Sequence, residues 1–245
     1  MKKYKIIIAY DGTDYYGSQI QPGHITIIGT LQRSFEDIFG KEITIAGASR
    51  TDAGVHAIGQ TAAFATDLAI EPEQLKHAWQ NKLPESILIR SIQEAPLDWN
   101  PRHHVAQKTY YYHFFQERPL PFFARYGWYY RYPVNLEKLK EAFAMFVGTH
   151  DFRSFVTGEY ESTIRTIISI EVDYMPRFKA YRIIITGPGF LRYMIRRMVG
   201  ACLEVASRDT LSINDLKIIL DKKNPEHLLP TAPAKGLLLY KIIYK

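Results

Sequence analysis

Cysteine is almost absent from this sequence, since Cys202 is the only one among 245 residues. Neither an intrachain disulfide nor a cysteine metal cluster can therefore form. Long apolar runs are also missing: no stretch of about eighteen apolar residues occurs, and Ile6–Ala9 is too short for the apolar region of a signal peptide. These absences exclude disulfide-rich secreted proteins and helical membrane proteins, and we expect a protein that works in the cytoplasm.

Acidic residues are fewer than basic ones. Lysine and arginine number 31 against 25 aspartates and glutamates, which gives a formal net charge of +6. A positive excess of this size favours a polyanionic partner such as nucleic acid, although net charge carries no information about the fold. Hydrophobic residues make up 47% and charged residues 23% of the chain, so we expect a globular protein and not a disordered one.

Several residues mark the expected ends of helices. Thr30 is the predicted N-cap of the first helix, and Gly40 is its predicted end. Pro72 stands where a second helix would have its first residue. Ser212 and Asp215 have the spacing of a capping box, which predicts a short helix in the last part of the chain.

The order of the predicted elements is nearly the same in the two halves of the chain. The first hundred residues follow the order βαββαβ, which is typical of the ferredoxin-like unit, and the second half repeats it more loosely. We therefore predict an α+β fold of two ferredoxin-like βαββαβ halves, 1–104 and 105–245, whose sheets meet around a central cleft. The predicted strands cover residues 4–10, 42–49, 57–65, 87–92, 109–115, 164–174, 181–186 and 237–244.

One segment between two predicted strands is longer than a hairpin needs. Residues 46–57 are Ala-Gly-Ala-Ser-Arg-Thr-Asp-Ala-Gly-Val-His-Ala, with Asp52 between Arg50 and Gly54. Glycine would let a ligand come close to the backbone here. On spacing alone, however, an ordinary surface turn in which Asp52 caps a backbone amide is the commoner role.

The same segment resembles the catalytic loop of the tRNA pseudouridine synthase A family, whose signature is Gly-Arg-Thr-Asp-x-Gly-Val-His-Ala. Several ordered matches of unusual composition are more specific than one short motif. Two positions depart from the family: Ser49 replaces the usual Gly, and Ser18 replaces the usual Trp. We expect the first to alter the loop backbone slightly and the second to remove an RNA-facing or packing aromatic. The other matching segments are 9–17, 101–112, 148–155, 189–200 and 235–239.

The resemblance implies an isomerase that converts uridine to pseudouridine at positions 38, 39 and 40 in the anticodon stem-loop of tRNA. It also implies the pseudouridine synthase fold, an RNA-binding cleft between the two sheets, and a homodimer as the working unit. The reaction breaks the N1–C1′ bond, turns the uracil and rejoins it through C5. Because no atoms enter or leave, we expect no cofactor, and because His56 and His150 lack the spacing of metal ligands, we expect no metal.

The resemblance also assigns roles to single residues. Asp52 is the implied catalytic carboxylate, which could attack C1′ or C6 or remove the C2′ proton. Arg196 is its implied arginine partner, which would keep the carboxylate ionised. Tyr110 is the implied pocket tyrosine on which the extruded base stacks, and Leu237 would line the pocket, although both residue types are ordinarily core. Arg50, beside Asp52, is also expected to bind substrate.

Basic side chains elsewhere in the matching segments are candidates for contacts with the RNA backbone. Such contacts position the RNA without reading its sequence, and each of these residues taken singly is more often a solvated charge. The candidates are Arg102, Lys108, Arg192 and Arg197.

Two other functions compete with this interpretation. A non-catalytic protein built from tandem RNA recognition motifs would carry an RNP1 segment, and none matches it here. A hydrolase that releases free uracil would need a second acid or base beside Asp52, and the loop shows no obvious second carboxylate.

Overall fold

The computed structural model describes residues 1–224 and 229–245. The chain divides into two compact units, of which the first comprises Met1–Ala106 together with Leu238–Lys245 and the second comprises Gln107–Leu237. Helices and strands are mixed in both units, so the predicted α+β class is confirmed. In the part of the chain that the structure describes, no helix is both long and apolar enough to cross a membrane.

The first unit is a sheet with two helices. Its elements are β1 (Lys2–Tyr10), α1 (Ile27–Phe39), β2 (Ala46–Gly47), β3 (His56–Thr66), α2 (Pro72–Gln80) and β4 (Ile87–Ala95). The βαββαβ order predicted for this half is therefore confirmed. The strands have the order β4-β1-β3, with both neighbours antiparallel, and β2 pairs with β3 at Ala62 and Ala63.

Both helices of the first unit bury an apolar face on the sheet. Phe35 of α1 and Trp79 of α2 pack edge to face, with ring centroids 5.0 Å apart, and Trp79 also contacts Phe64 of β3 at 5.3 Å. The indole Nε1 of Trp79 donates to Ser34 Oγ at 2.9 Å, so the polar end of this buried side chain has a partner. This core supports β3, the strand that follows the segment with Asp52.

Two details of the first unit differ from the prediction. The N-cap of α1 is Thr26 and not Thr30, since Thr26 Oγ1 accepts a hydrogen bond from Gly29 N and the helix begins one turn earlier. The strand predicted for 42–49 is limited to Ala46–Gly47. The backbone of Ile45 donates to the side chain of Gln32 instead of to a neighbouring strand, which explains why the ladder does not extend that far.

The second unit contains most of the remaining helices and strands. They are β5 (Val105–Phe115), β6 (Trp128–Tyr129), α3 (Leu136–Ala144), β7 (Gly148–Asp151), β8 (Ile164–Ile167), β9 (Ser169–Met175), β10 (Ala180–Gly187), α4 (Met194–Ser207) and α5 (Ile213–Lys222). One sheet has the antiparallel order β5-β10-β9, with β6 paired in parallel to β5, and β7 and β8 form a separate two-stranded sheet. The strand predicted for 164–174 is divided at Ile168 into β8 and β9, which belong to different sheets. The predicted capping box is confirmed, because Ser212 and Asp215 exchange hydrogen bonds at the start of α5.

The last strand, β11 (Leu237–Tyr244), has the bounds predicted from its sequence. It pairs in parallel with β3, with Leu238 opposite His56 and Leu239 opposite Ala57. Residues 238–245 therefore belong to the first unit, whereas the predicted division assigned them to the second half. The order of elements along a chain does not reveal this, because a parallel partner need not be close in sequence.

Candidate active site

Asp52 lies in the loop between β2 and β3, and the residue before it is firmly held. Thr51 N donates to Ser18 Oγ at 2.9 Å, and Thr51 O accepts from Ser18 N at 3.1 Å. The hydroxyl of Thr51 is 2.9 Å from the hydroxyl of Tyr10, the last residue of β1. Ser18 is only 2% exposed, and Thr51 only 8%. These buried contacts fix the backbone from which the carboxylate of Asp52 projects.

Gln60 of β3 holds the same loop two residues further back. Its Nε2 donates to Ser49 O at 2.6 Å, and its Oε1 accepts from Ser49 N at 3.3 Å. The main chain is thus anchored on both sides of Arg50, whose side chain is exposed. Asp52 itself is partly exposed, and its carbonyl accepts from Val55 N at 3.1 Å in a tight turn. A partly exposed carboxylate on an anchored loop has the access that a reacting group needs.

The first loop of the chain packs directly on the loop with Asp52. Gly17 has a φ of +89°, and a Cβ there would lie 2.6 Å from Thr51 O. Only glycine allows this combination of backbone conformation and close approach. Ser18, the next residue, turns its side chain into the loop and not toward solvent. Ser18, which we expect to remove an RNA-facing or packing aromatic, thus contributes a buried hydroxyl that accepts a hydrogen bond from Thr51 N.

In the second unit, Tyr110 and Tyr112 lie on the same face of β5, two residues apart. Tyr110 is 5% exposed, and its ring meets Phe190 edge to face at 5.3 Å. Tyr112 is fully buried and donates its hydroxyl to Pro233 O at 2.9 Å. Burial raises the pKa of Tyr112 well above its ordinary value, and the positive charge of Arg196 acts in the opposite direction. Tyr112 therefore stays protonated, and its hydrogen bond connects β5 to the segment before β11.

Arg196, in the first turns of α4, is held by the segment before β11. Its Nε donates to Ala232 O at 2.8 Å, and Ala232 N donates in return to Arg196 O at 3.0 Å. Its guanidinium carbon lies 5.0 Å from the centre of the Tyr193 ring. Leu237, at the end of this segment, is 7% exposed. The structure thus brings Arg196 near Tyr112 and orients its guanidinium group by two contacts.

The four candidates for RNA-backbone contacts differ in their surroundings. Arg102 is exposed, and its Nε donates to Gly47 O at 3.1 Å. Arg197 donates from Nη1 to Val156 O at 2.8 Å, and partial burial lowers its pKa. Arg192 is exposed beside Tyr193, whereas Lys108 is partly buried on β5. Arg102 and Arg197 therefore each commit one nitrogen to the protein's own backbone.

Sequence reasoning missed three residues that shape these two regions. Tyr10 lies on β1 and Gln60 on β3, and nothing in the sequence pattern of either strand indicates that these side chains anchor a loop. Tyr193 has a φ of +63°, which a tyrosine rarely adopts and which no local sequence signal predicts. Among residues 1–224 and 229–245, no three His, Cys, Asp or Glu side chains are grouped so that they could hold a metal ion.

A comparison with family models shows where this chain belongs. The model described as tRNA pseudouridine synthase matches residues 6–103 and 142–245. The chain belongs to the tRNA pseudouridine synthase family. This family is one of isomerases that act on uridine in tRNA. Asp52, Arg196 and Leu237 lie within the matched segments, and Tyr110 lies between them.

Curated members of the tRNA pseudouridine synthase family match the chain from end to end. The tRNA pseudouridine synthase A of Geobacillus sp. is 37% identical, over 99% of this chain and 98% of its own. That of Solibacter usitatus is 36% identical over 100% of both chains, and that of Pseudothermotoga lettingae 35% over 99% of both. Among solved structures, a crystal structure of a Cbf5-Nop10-Gar1 complex has 12% identity and a TM-score of 0.35, over 82% of this chain and 54% of that one.

Proposed function

We propose that this chain converts uridine to pseudouridine at positions 38, 39 and 40 in the anticodon stem-loop of tRNA, with Asp52 as the catalytic carboxylate. The observation that carries the proposal is the anchored Arg50-Thr51-Asp52 segment. Thr51 is held through its N–H, its carbonyl and its hydroxyl, while the next side chain remains partly exposed. A carboxylate that caps an ordinary turn has no need of such a buried framework.

The reaction requires the target uridine to leave the base stack and enter a pocket, at a cost of a few kcal/mol. In this proposal Tyr110 stacks on the extruded uracil, and Leu237 and Arg50 also bind the nucleotide. Asp52 then acts at the sugar or at C6. The charge of Arg196 serves to keep that carboxylate ionised, because a nearby cation lowers a carboxyl pKa.

The tRNA would be held mainly by phosphate contacts. Arg102, Lys108, Arg192 and Arg197 are the residues we propose for this role, in keeping with the net charge of +6. We further propose that the protein works in the cytoplasm as a homodimer without a cofactor. The names of the relatives support the tRNA substrate, since they are tRNA pseudouridine synthases.

The decisive experiment is to map pseudouridine in tRNA incubated with and without the purified protein. Unmodified transcripts with uridine at 38, 39 or 40 are compared with matched transcripts that have cytidine there. We expect pseudouridine only at the uridines of these positions, and no free uracil. Release of uracil would favour a hydrolase, and tight tRNA binding without any product would favour a non-catalytic RNA-binding protein.

A further inference from the structure

Tyr193 has a backbone conformation that its residue type disfavours. It precedes the first residue of α4, and its φ and ψ are +63° and −6°, in the left-handed region. Glycine and asparagine adopt this region at much lower cost than an aromatic residue. Tyr193 makes no side-chain hydrogen bond that caps the helix. Neither the turn nor the cap therefore accounts for a tyrosine at this position.

The ring of Tyr193 is close to two arginines at the start of α4. The guanidinium carbons of Arg192 and Arg196 are 5.1 and 5.0 Å from its centre. Distances of this size are typical of cation–π contacts. The left-handed backbone places the ring beside Arg196, three residues further along the chain. Glycine or asparagine would suit this backbone conformation better, but neither has an aromatic ring that could contact the arginines.

The contact with Tyr193 complements a second one on the same side chain. Ala232 O accepts from Arg196 Nε, and the segment of Ala232 packs tightly on α4, because a Cβ on Gly200 would lie 2.1 Å from Pro230 O. The backbone acceptor is therefore well fixed. The planar guanidinium group of Arg196 is therefore held by two different kinds of contact: the Tyr193 ring lies near its Cζ, and the Ala232 carbonyl accepts from its Nε.

We propose that Tyr193 is a positioning residue for the reaction, which orients the guanidinium group of Arg196. This inference rests on the proposed function, in which Arg196 keeps the catalytic carboxylate ionised. The protein then tolerates the disfavoured backbone conformation of Tyr193 because activity requires its ring. Residues in disfavoured conformations often occur at functional sites for such a reason. Removing the ring impairs the chemical step, whereas tRNA binding depends on it much less.

The test uses Tyr193→Asn, which keeps the left-handed backbone and removes the ring, and Tyr193→Phe, which keeps the ring. For Asn we expect kcat to fall by about 10- to 100-fold, the range for a misplaced catalytic group. We expect KM for tRNA to change by less than about threefold, because the contacts that bind tRNA equally in the ground state and the transition state are kept. Tm should not fall, because asparagine suits the backbone better. Phe should restore kcat to near the wild-type value.

The matched control is Lys223→Asn, which relieves the same strain at another left-handed residue (φ +52°), at the end of α5. It should leave kcat unchanged. Wild-type kcat in Tyr193→Asn would overturn the proposal, and so would an equal loss in Tyr193→Phe. Arg196→Ala separates this failure from failure of the proposed function. If Arg196→Ala loses activity and Tyr193→Asn does not, only the positioning role is wrong; if Arg196→Ala keeps wild-type kcat, the role proposed for Arg196 is wrong.

Discussion

The two charged groups proposed for the reaction are held in different ways. The loop with Asp52 is fixed along its main chain, where Ser18 and Gln60 bind the peptide groups of Thr51 and Ser49. Arg196 is on a regular helix, and there the contacts are made to the side chain itself, by Tyr193 and Ala232. One group depends on the conformation of a loop, and the other on contacts near the end of a flexible side chain.

The difference follows from the lengths of the two side chains. An aspartate is short, so fixing its backbone nearly fixes its carboxylate. An arginine loses much more conformational freedom when it is ordered, and a rigid helix leaves the position of its guanidinium group undetermined. Precise placement of a catalytic group therefore requires backbone hydrogen bonds in the first case and direct side-chain contacts in the second.

The largest expected effect is on the carboxylate itself. Asp52→Asn should abolish pseudouridine formation and leave tRNA affinity within a few-fold, because the amide keeps size and shape but can act neither as nucleophile nor as base. Product is measured by mapping of tRNA, and affinity by filter binding. Asp37→Asn, an exposed carboxylate on α1, is the control and should be fully active. Near wild-type turnover in Asp52→Asn would contradict the whole assignment.

The next largest effect should come from Tyr110, which lies in the same compact unit as Arg196. Tyr110→Phe keeps the ring and loses the hydroxyl, while Tyr110→Leu loses both. We expect the hydroxyl to take the C5 proton after the glycosidic bond is remade, in addition to the stacking of the ring. Phe should therefore bind tRNA normally and lose about 10²–10⁴-fold in rate, the usual contribution of a positioned acid–base group. Leu should in addition bind substrate less well. Single-turnover assays decide this, and wild-type rates in both variants would make Tyr110 an ordinary core residue.

A smaller effect is expected for the framework of the Asp52 loop. Ser18→Ala leaves the buried N–H of Thr51 without its acceptor, which should lower the free energy of unfolding by about 1–3 kcal/mol. We also expect kcat to fall by about tenfold, because the loop backbone is no longer held in one position. Urea denaturation and steady-state kinetics measure the two quantities.

Ser34→Ala is the matched control for Ser18→Ala. Ser34 is also a buried serine of the first unit, and its Oγ accepts from Trp79 Nε1. The Ser34→Ala variant should lose a similar amount of free energy of unfolding and keep the wild-type kcat. Equal kcat values in the two variants would mean that Ser18 matters only for stability and that the loop tolerates looser anchoring.

The smallest effect concerns phosphate contacts, which need less exact placement than reacting groups do. Lys108→Gln and Arg192→Gln should each reduce the slope of log affinity against log salt concentration by about 0.7, the value per contact with single-stranded nucleic acid. Lys140→Gln, an exposed lysine on α3, should leave the slope unchanged. A salt-independent affinity of the wild type would argue against electrostatic binding altogether.

Local signals predicted much of the fold correctly. Gly40 ends α1 in the left-handed conformation, Pro72 begins α2, and Ser212 with Asp215 forms the capping box of α5. Each of these signals acts within one turn of chain, so it depends little on the rest of the molecule. Thr30 shows the limit of such reasoning, because Thr26 offers the same hydroxyl one turn earlier and the buried Ile27 and Ile28 extend the helix to it.

By itself, the sequence determined the family, the α+β class and the identity of the residues to test, because motifs and periodicity are local and Asp52 and Arg196 lie within such motifs. Tertiary structure alone decided how these residues are held. It paired the last strand with β3, turned Ser18 into a hydrogen-bond acceptor for Thr51, and kept Tyr193 left-handed beside Arg196. Each of these depends on groups that are distant in sequence or on a strained backbone, and neither leaves a pattern that can be recognised along the chain.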